Sequence, residues 1–256
     1  MISLIILAAS IFQISGKDVL NEEMAPVLVL YETNALTFYP YSESPAFALY
    51  DNGRVIYSRK NSLGNDIRYY SEKLDSKSFY KLISELNYDS VLRSSGSDQI
   101  YSQNTDQPDN YFYRFNGDNV KIHRYYGDLR SGSDSSRTKA PKHLISLFDR
   151  LINYKPISDL REWIPTKVEL MTQCHDSTKP GIPWSKSFPD LKSNSTIKID
   201  EDFFSIFLSS DQYADYLNLQ KKSGERKSFI INNKACMILT RIPFPFENYW
   251  MNLSPH

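Results

Sequence analysis

Two stretches of the chain repeat one pattern, an apolar-rich run, a polar turn with glycine and a second run, and each is followed by the same helical stripe. The first reads Ala46-Phe47-Ala48-Leu49-Tyr50, a turn Asp51-Asn52-Gly53-Arg54, then Val55-Ile56-Tyr57-Ser58. The second reads Tyr111-Phe112-Tyr113-Arg114-Phe115, a turn Asn116-Gly117-Asp118-Asn119, then Val120-Lys121-Ile122-His123. The turns start 116 − 51 = 65 positions apart. The stripes Phe79/Leu82/Ile83/Leu86 and Leu144/Leu147/Phe148/Leu151, at i, i+3, i+4, i+7, are offset by the same 65, and that spacing marks one face of a helix. A shared offset across two kinds of element predicts an α+β protein, with an antiparallel sheet built from repeated ββα units and helices packed on one face.

Asn52-Gly53 is a strong hairpin signal, because a type I′ turn needs positive φ at both central residues. Such a turn pairs Tyr50 with Val55 and Ala48 with Tyr57, leaving Leu49 and Ile56 on the other face. Both faces are then apolar, which predicts a central hairpin. The second hairpin pairs Phe115 with Val120 and Tyr113 with Ile122. Its other face carries Arg114 and Lys121, so one side is expected to be wet or to cover a partner.

Residues 26–31 read as a short buried strand, and 67–70 as a third strand after the first hairpin. Helix one starts at Asp75 or Ser76, either of which can cap its free amides. Helix two starts at Pro141, suited to a first helical position, and ends near Tyr154. Residues 166–171 alternate as a strand. The last part adds a strand over 202–208, a capping box Ser209-x-x-Gln212 opening a helix, and a hairpin across Asn232-Asn233. The expected organisation is a signal peptide over 1–16, two ββα units with a closing strand over 17–173, a connection over 174–195, and a C-terminal βαββ part over 196–256 that packs on the first or forms a second small domain. Polar loops over 94–110 and 127–139 lie between the units.

The apolar run 2–14 is too short to cross a bilayer, which takes about 20 residues, but it fits the core of a signal peptide. It predicts a secreted, periplasmic or envelope protein with no membrane span after cleavage. The 30 basic and 30 acidic residues cancel, so the positive excess of a nucleic-acid binder is missing and no nucleic-acid partner is expected. Only two cysteines occur. Export makes a Cys174–Cys236 disulfide possible; two buried free thiols are the other arrangement.

Candidate chemistry is sparse. With nine glycines in the chain, no phosphate-binding loop and no Gly-x-Ser-x-Gly elbow is present, so neither nucleotide nor other cofactor is expected. Cys174-His175-Asp176 sets three ligand types in a row, but structural metal sites space their ligands two to five apart, and no metal is expected. The best general base is His123, at a strand end opposite Phe112 and near Asp128 and a serine-rich loop, which would suit a hydrolase of unrecognised type. The 18 tyrosines and 14 phenylalanines offer a different chemistry. Tyr113, Arg114, Lys121, His123, Tyr125 and Tyr126 around the second hairpin form a candidate binding surface for a protein or glycan.

The segment 45–57 (Pro-Ala-Phe-Ala-Leu-Tyr-Asp-Asn-Gly-Arg-Val-Ile-Tyr) resembles a pattern of uncharacterised bacterial secreted proteins and lipoproteins, Pro-x-Phe-x-Leu-Tyr-Gly-Asp-Gly-x-Val-Ile. Their Trp-x-Pro before a later strand is similar to Trp163-Ile164-Pro165. Here Asp51-Asn52 replaces Gly-Asp, and no lipid-acceptor cysteine follows the leader. The resemblance implies export and carries no catalytic residue. The leading expectation is therefore an exported, non-enzymatic binding protein. The alternatives are the His123 hydrolase and an intracellular, immunity-like partner-binding protein.

Overall fold

A computed structural model describes residues 24–33, 43–60, 67–117, 119–130, 135–176, 181–223 and 228–247. The expected leader, 1–16, lies outside the described residues. In chain order the elements are β1 (Pro26–Glu32), β2 (Phe47–Tyr50), β3 (Arg54–Lys60), β4 (Ile67–Lys73), α1 (Ser76–Leu86), α2 (Tyr88–Ser95), β5 (Asp98–Ile100), β6 (Asp109–Asn116) and β7 (Asn119–Tyr126). They continue with α3 (Ser135–Lys139), α4 (Lys142–Ile152), β8 (Arg161–Glu162), β9 (Lys167–Asp176), β10 (Ile182–Pro183), β11 (Ile197–Lys198), β12 (Phe203–Ser209), α5 (Ser210–Ser223), β13 (Phe229–Ile231) and β14 (Lys234–Arg241).

The strands form two mostly antiparallel sheets, ordered β5-β7-β6-β1-β2-β3-β4-β8 and β10-β13-β14-β9-β12-β11. In the first, β1 is flanked by the opening strands of both repeats, each antiparallel to it. The two copies therefore run outward from β1 in opposite directions, while their helices share one face of the sheet. The outermost strands of both sheets are two or three residues long, which leaves little free edge for unwanted pairing.

The first hairpin is central and buried on both faces, but its register differs from the type I′ expectation. Phe47 pairs with Tyr57, Ala48 with Ile56 and Leu49 with Val55. Gly53 is the one residue of this turn with positive φ, at 85°, and its N–H closes the turn onto the Tyr50 carbonyl at 2.9 Å. A turn that ends on a left-handed glycine carries one more residue than a two-residue loop. That single residue flips the second strand: Val55 and Tyr57 face the helices with Phe47 and Leu49, while Ile56 joins Ala48 and Tyr50 on the opposite face. The second hairpin keeps the expected register, Phe115 with Val120 and Tyr113 with Ile122.

The helix layer starts at Asp75, whose side chain accepts the Ser78 N–H at 2.7 Å. Asn87, in the left-handed region at φ 44°, ends α1 and starts α2. The four apolar residues of the α4 stripe are all buried. Those of α1 are not: Phe79, Leu82 and Ile83 are half-buried, and Leu86 alone is fully covered.

The strand expected over 166–171, to close the first part, starts at Lys167 and belongs to β9 at the heart of the second sheet, between β14 and β12. The expected strand, helix and hairpin follow as β12, α5, β13 and β14. Ser209 and Gln212 exchange side-chain-to-backbone bonds at 3.0 and 3.3 Å, and Asn232 and Asn233 both take positive φ. Cys174 and Cys236 face each other across β9 and β14 and form a disulfide, with Cα atoms 4.0 Å apart. The Cys174 N–H donates to the Asp202 carbonyl, on the β12 side of the strand. The two cysteines are thus a non-hydrogen-bonded pair, the closer of the two antiparallel pair types. Closing a loop of 62 residues stabilises by about 4 kcal/mol in the chain-entropy model.

Buried charge ties the sheets together. The Arg241 guanidinium pairs with Glu169 and Glu247, and its Nε donates to the Glu43 carbonyl. Phe244 and Trp163 stack edge-on with Tyr69 of β4, and Tyr50 Oη donates to the Pro245 carbonyl at 3.1 Å. Burial pushes the Tyr69 hydroxyl up to about 12. No helix among the described residues is long and apolar enough to cross a membrane.

Candidate functional site

The residues around the second hairpin divide between two faces. Strand alternation places Arg114, Lys121, His123 and Tyr125 toward the helices, and Tyr113 and Tyr126 on the reverse. Tyr113 and Tyr125 are fully buried. Tyr126 is half-covered, its hydroxyl donating to the Asn104 carbonyl and accepting from the Gln107 N–H. Lys121 is exposed, whereas Arg114 lies buried beneath α2 and pairs with Asp89. The face expected to be wet is therefore roofed by the protein's own helix, and the tyrosines do not join into one exposed platform.

His123 is opposite Phe112, as the sequence suggests, but it is buried. Its Nδ1 is 2.9 Å from the carbonyl oxygen of Gly96, just past the end of α2. A carbonyl only accepts, so Nδ1 carries the proton and Nε2 is the bare nitrogen. No described group partners Nε2. The Tyr125 hydroxyl donates to the same carbonyl. Burial holds the His123 imidazolium pKa below the usual histidine range, with Arg114 and Lys121 adding to the effect, while Gly96 and Asp89 oppose it. Asp128 is engaged in its own turn, where Oδ1 accepts the Arg130 N–H at 2.7 Å. The described residues thus bring neither a carboxylate nor a serine hydroxyl to the free nitrogen of His123, and both are needed for the expected triad logic.

A second histidine does meet serines. His143 Nε2 lies 2.9 Å from Ser95 Oγ and 3.2 Å from Ser94 Oγ. Both hydroxyls donate to the Val91 carbonyl, so each serine oxygen is the acceptor and His143 donates. This is a helix-end clasp between α2 and α4, with the proton on the wrong atom for a base. From the sequence no helix is expected over 88–93, and Ser94 and Ser95 fall in a loop, although Tyr88, Val91, Leu92 and Ser95 follow the i, i+3, i+4, i+7 spacing. The other marked cluster, Cys174-His175-Asp176, has its thiol in the disulfide, and the described residues gather no metal-ligating group of three or more.

A broad concavity among the described residues lies elsewhere, on the outer side of the helix layer. A groove of about 970 Å³ runs between the C-terminal half of α1 and the outward face of α4, with α3 at one end. Leu82, Leu86 and Ile145 give it an apolar floor, while Lys142, Arg150 and Lys155 stand on its rim. The far end is fixed by Tyr154. Its ring packs edge-on against Phe47 and Tyr57, and its hydroxyl donates to the buried Glu72 carboxylate. Burial, with Glu72 second, pushes the Tyr154 pKa far above that of a free phenol. Glu72 also accepts the N–H groups of Ile157 and Ser158 at 3.1 and 3.2 Å, so the chain leaving α4 is clamped against the sheet. The groove is thus made of an incompletely covered helix, a firmly seated helix and a rigid end wall. No protein-family model, curated protein or solved structure matches the chain, so the site is read from its own geometry.

Proposed function

We propose that this is an exported, non-enzymatic protein that binds a protein partner through the groove between α1 and α4. The observation that carries the reading is the half-open apolar stripe of α1. A helix that packs its stripe fully, as α4 does, leaves a partner in the groove only the flanking apolar residue Ile145. One that leaves Leu82 half-exposed in the groove, with Phe79 and Ile83 half-exposed along the same stripe, gains by covering it, about 25 cal/mol for each Å² buried. The groove lacks the exposed rings on which a sugar stacks, its one aromatic lining residue, Tyr154, being buried; this favours protein over glycan. The Cys174–Cys236 disulfide supports an oxidising compartment, in line with the apolar leader, and speaks against an intracellular, immunity-like role.

A photoreactive side chain placed at Ser146 in the groove, and separately at Tyr126 on the far hairpin, tests the reading in the producing cell. The expected result is one discrete adduct from Ser146 only, on a chain whose N-terminus has been trimmed. Adducts from Tyr126 alone would overturn the choice of site, and a mature chain that keeps Met1 would overturn export.

A further inference from the structure

The charges around the groove are unevenly matched. Arg137 is satisfied twice over: its guanidinium makes two bonds to Asp149, at 2.9 and 2.6 Å, and another to the Leu129 carbonyl. Glu85 pairs with Lys81 one turn earlier. Arg150 reaches only a carbonyl, that of Glu85. Lys142 and Lys155 have no carboxylate within ion-pair distance among the described residues. Once the internal pairs are set aside, three cations remain on the rim and no anion.

An apolar floor under uncompensated cations selects a ligand that is both apolar and anionic. Two further features narrow its form. The groove is open along one side, whereas a long-chain carboxylate or lipid tail is best shielded by an enclosed cavity. Its lining follows α4 along all 11 residues, so it runs for roughly 16 Å at 1.5 Å per residue, the length of a three-turn helix. We infer that the groove receives an acidic amphipathic helix from a protein partner. Its apolar stripe would rest on Leu82, Leu86 and Ile145, and its Asp or Glu side chains would meet Lys142, Arg150 and Lys155. The inference rests on the groove being the binding site and adds the chemistry of the occupant.

The test follows the methyl resonances of Leu82, Leu86 and Ile145 by NMR in the full mature protein. Three probes are titrated: a capped amphipathic peptide of leucine and glutamate, its counterpart with lysine for glutamate, and oleate. The acidic peptide is expected to shift these methyls and the lysine peptide to leave them in place. The variant K142E/K155E alters two exposed side chains that pair with nothing among the described residues, and should weaken the acidic peptide by about tenfold or more. Equal binding of both peptides, or affinity indifferent to the charge reversal, overturns the inference. So does a response to oleate alone, which would mark a lipid site. The two readings fail separately. A Ser146 adduct with no response to the acidic peptide removes the acidic helix and keeps the groove; peptide binding in a protein that gives no adduct in the cell does the reverse.

Discussion

The two ββα copies start from the same pattern of residues and end in different states. Phe79, Leu82, Ile83 and Leu86 correspond to Leu144, Leu147, Phe148 and Leu151 at a constant offset of 65. In the second copy all four are buried against the sheet; in the first, three stay half-exposed. The stripe decides which way a helix faces but not how deeply it is covered. Coverage depends on the neighbours: α4 borders the groove too but packs closely on α2 and β3, whereas no described element packs as closely on α1. The hairpins diverge as well. One residue of turn length puts Val55 on the helix face of the first copy and its counterpart Val120 on the reverse face of the second. A sequence repeat therefore yields a closed half that holds the sheet and an open half that leaves apolar surface available.

The sharpest way to break this comparison is to truncate equivalent stripe residues. Phe148→Ala should cost about 3–5 kcal/mol, as for a fully buried aromatic. Ile83→Ala, at the matching position of α1, should cost only about 1–2 kcal/mol, because much of that side chain is already wet. Urea denaturation of both variants measures the difference, and equal losses would mean that α1 is as closed as α4. The turns offer a second pair. A Cβ on Gly53, at φ +85°, would meet the Leu74 carbonyl oxygen at 2.6 Å, whereas one on Gly117, at φ +57°, meets nothing within 4 Å. Gly117→Ala should cost about 1 kcal/mol, the usual strain of a left-handed alanine. Gly53→Ala adds a backbone clash and should cost at least about twice as much. If the two variants prove equally stable, the close approach of Gly53 to Leu74 is not what holds the register of the first hairpin.

How much of this was readable in the chain follows from the range of the forces involved. Local signals were reliable: Asp75 as a cap, the Ser209/Gln212 box, the Asn232-Asn233 turn, and the register of the second hairpin are all set by residues within a few positions of each other. The first hairpin misled because Asn52-Gly53 satisfies two turn types, and the choice between them is made by a contact from outside: the Leu74 N–H bonds the Gly53 carbonyl. The candidate surface divides between two faces, one of them roofed for a longer-range reason. Strand alternation predicted that Arg114 shares a face with Lys121, but nothing in the hairpin says that α2 will roof that face and supply Asp89. The groove was invisible for the same reason, since its walls come from α1 and α4 and its end from a tyrosine anchored by Glu72 of β4. Packing between distant elements made it, and no single stretch encodes it.

The smallest expected effect concerns His123, whose counterpart in the first copy is Ser58 on the reverse face. A histidine buried with its pKa lowered binds protons less readily in the folded state than in the unfolded chain. Its contribution is fully present above the unfolded value and is lost as pH falls through that value toward the folded one, so acidification favours unfolding. Arg114 and Lys121 face the ring and make charging harder; Asp89, across the Arg114 pair, partly offsets them. His123→Leu removes the proton site without orphaning the Gly96 carbonyl, which still accepts the Tyr125 hydroxyl. Between about pH 7.5 and pH 5.5 the native protein should therefore lose more stability than the leucine variant does. Parallel urea curves at the two pH values would give that difference directly. If both proteins respond alike, His123 takes up its proton without strain, and the roof that α2 places over the second copy is looser than the closed half of the comparison requires.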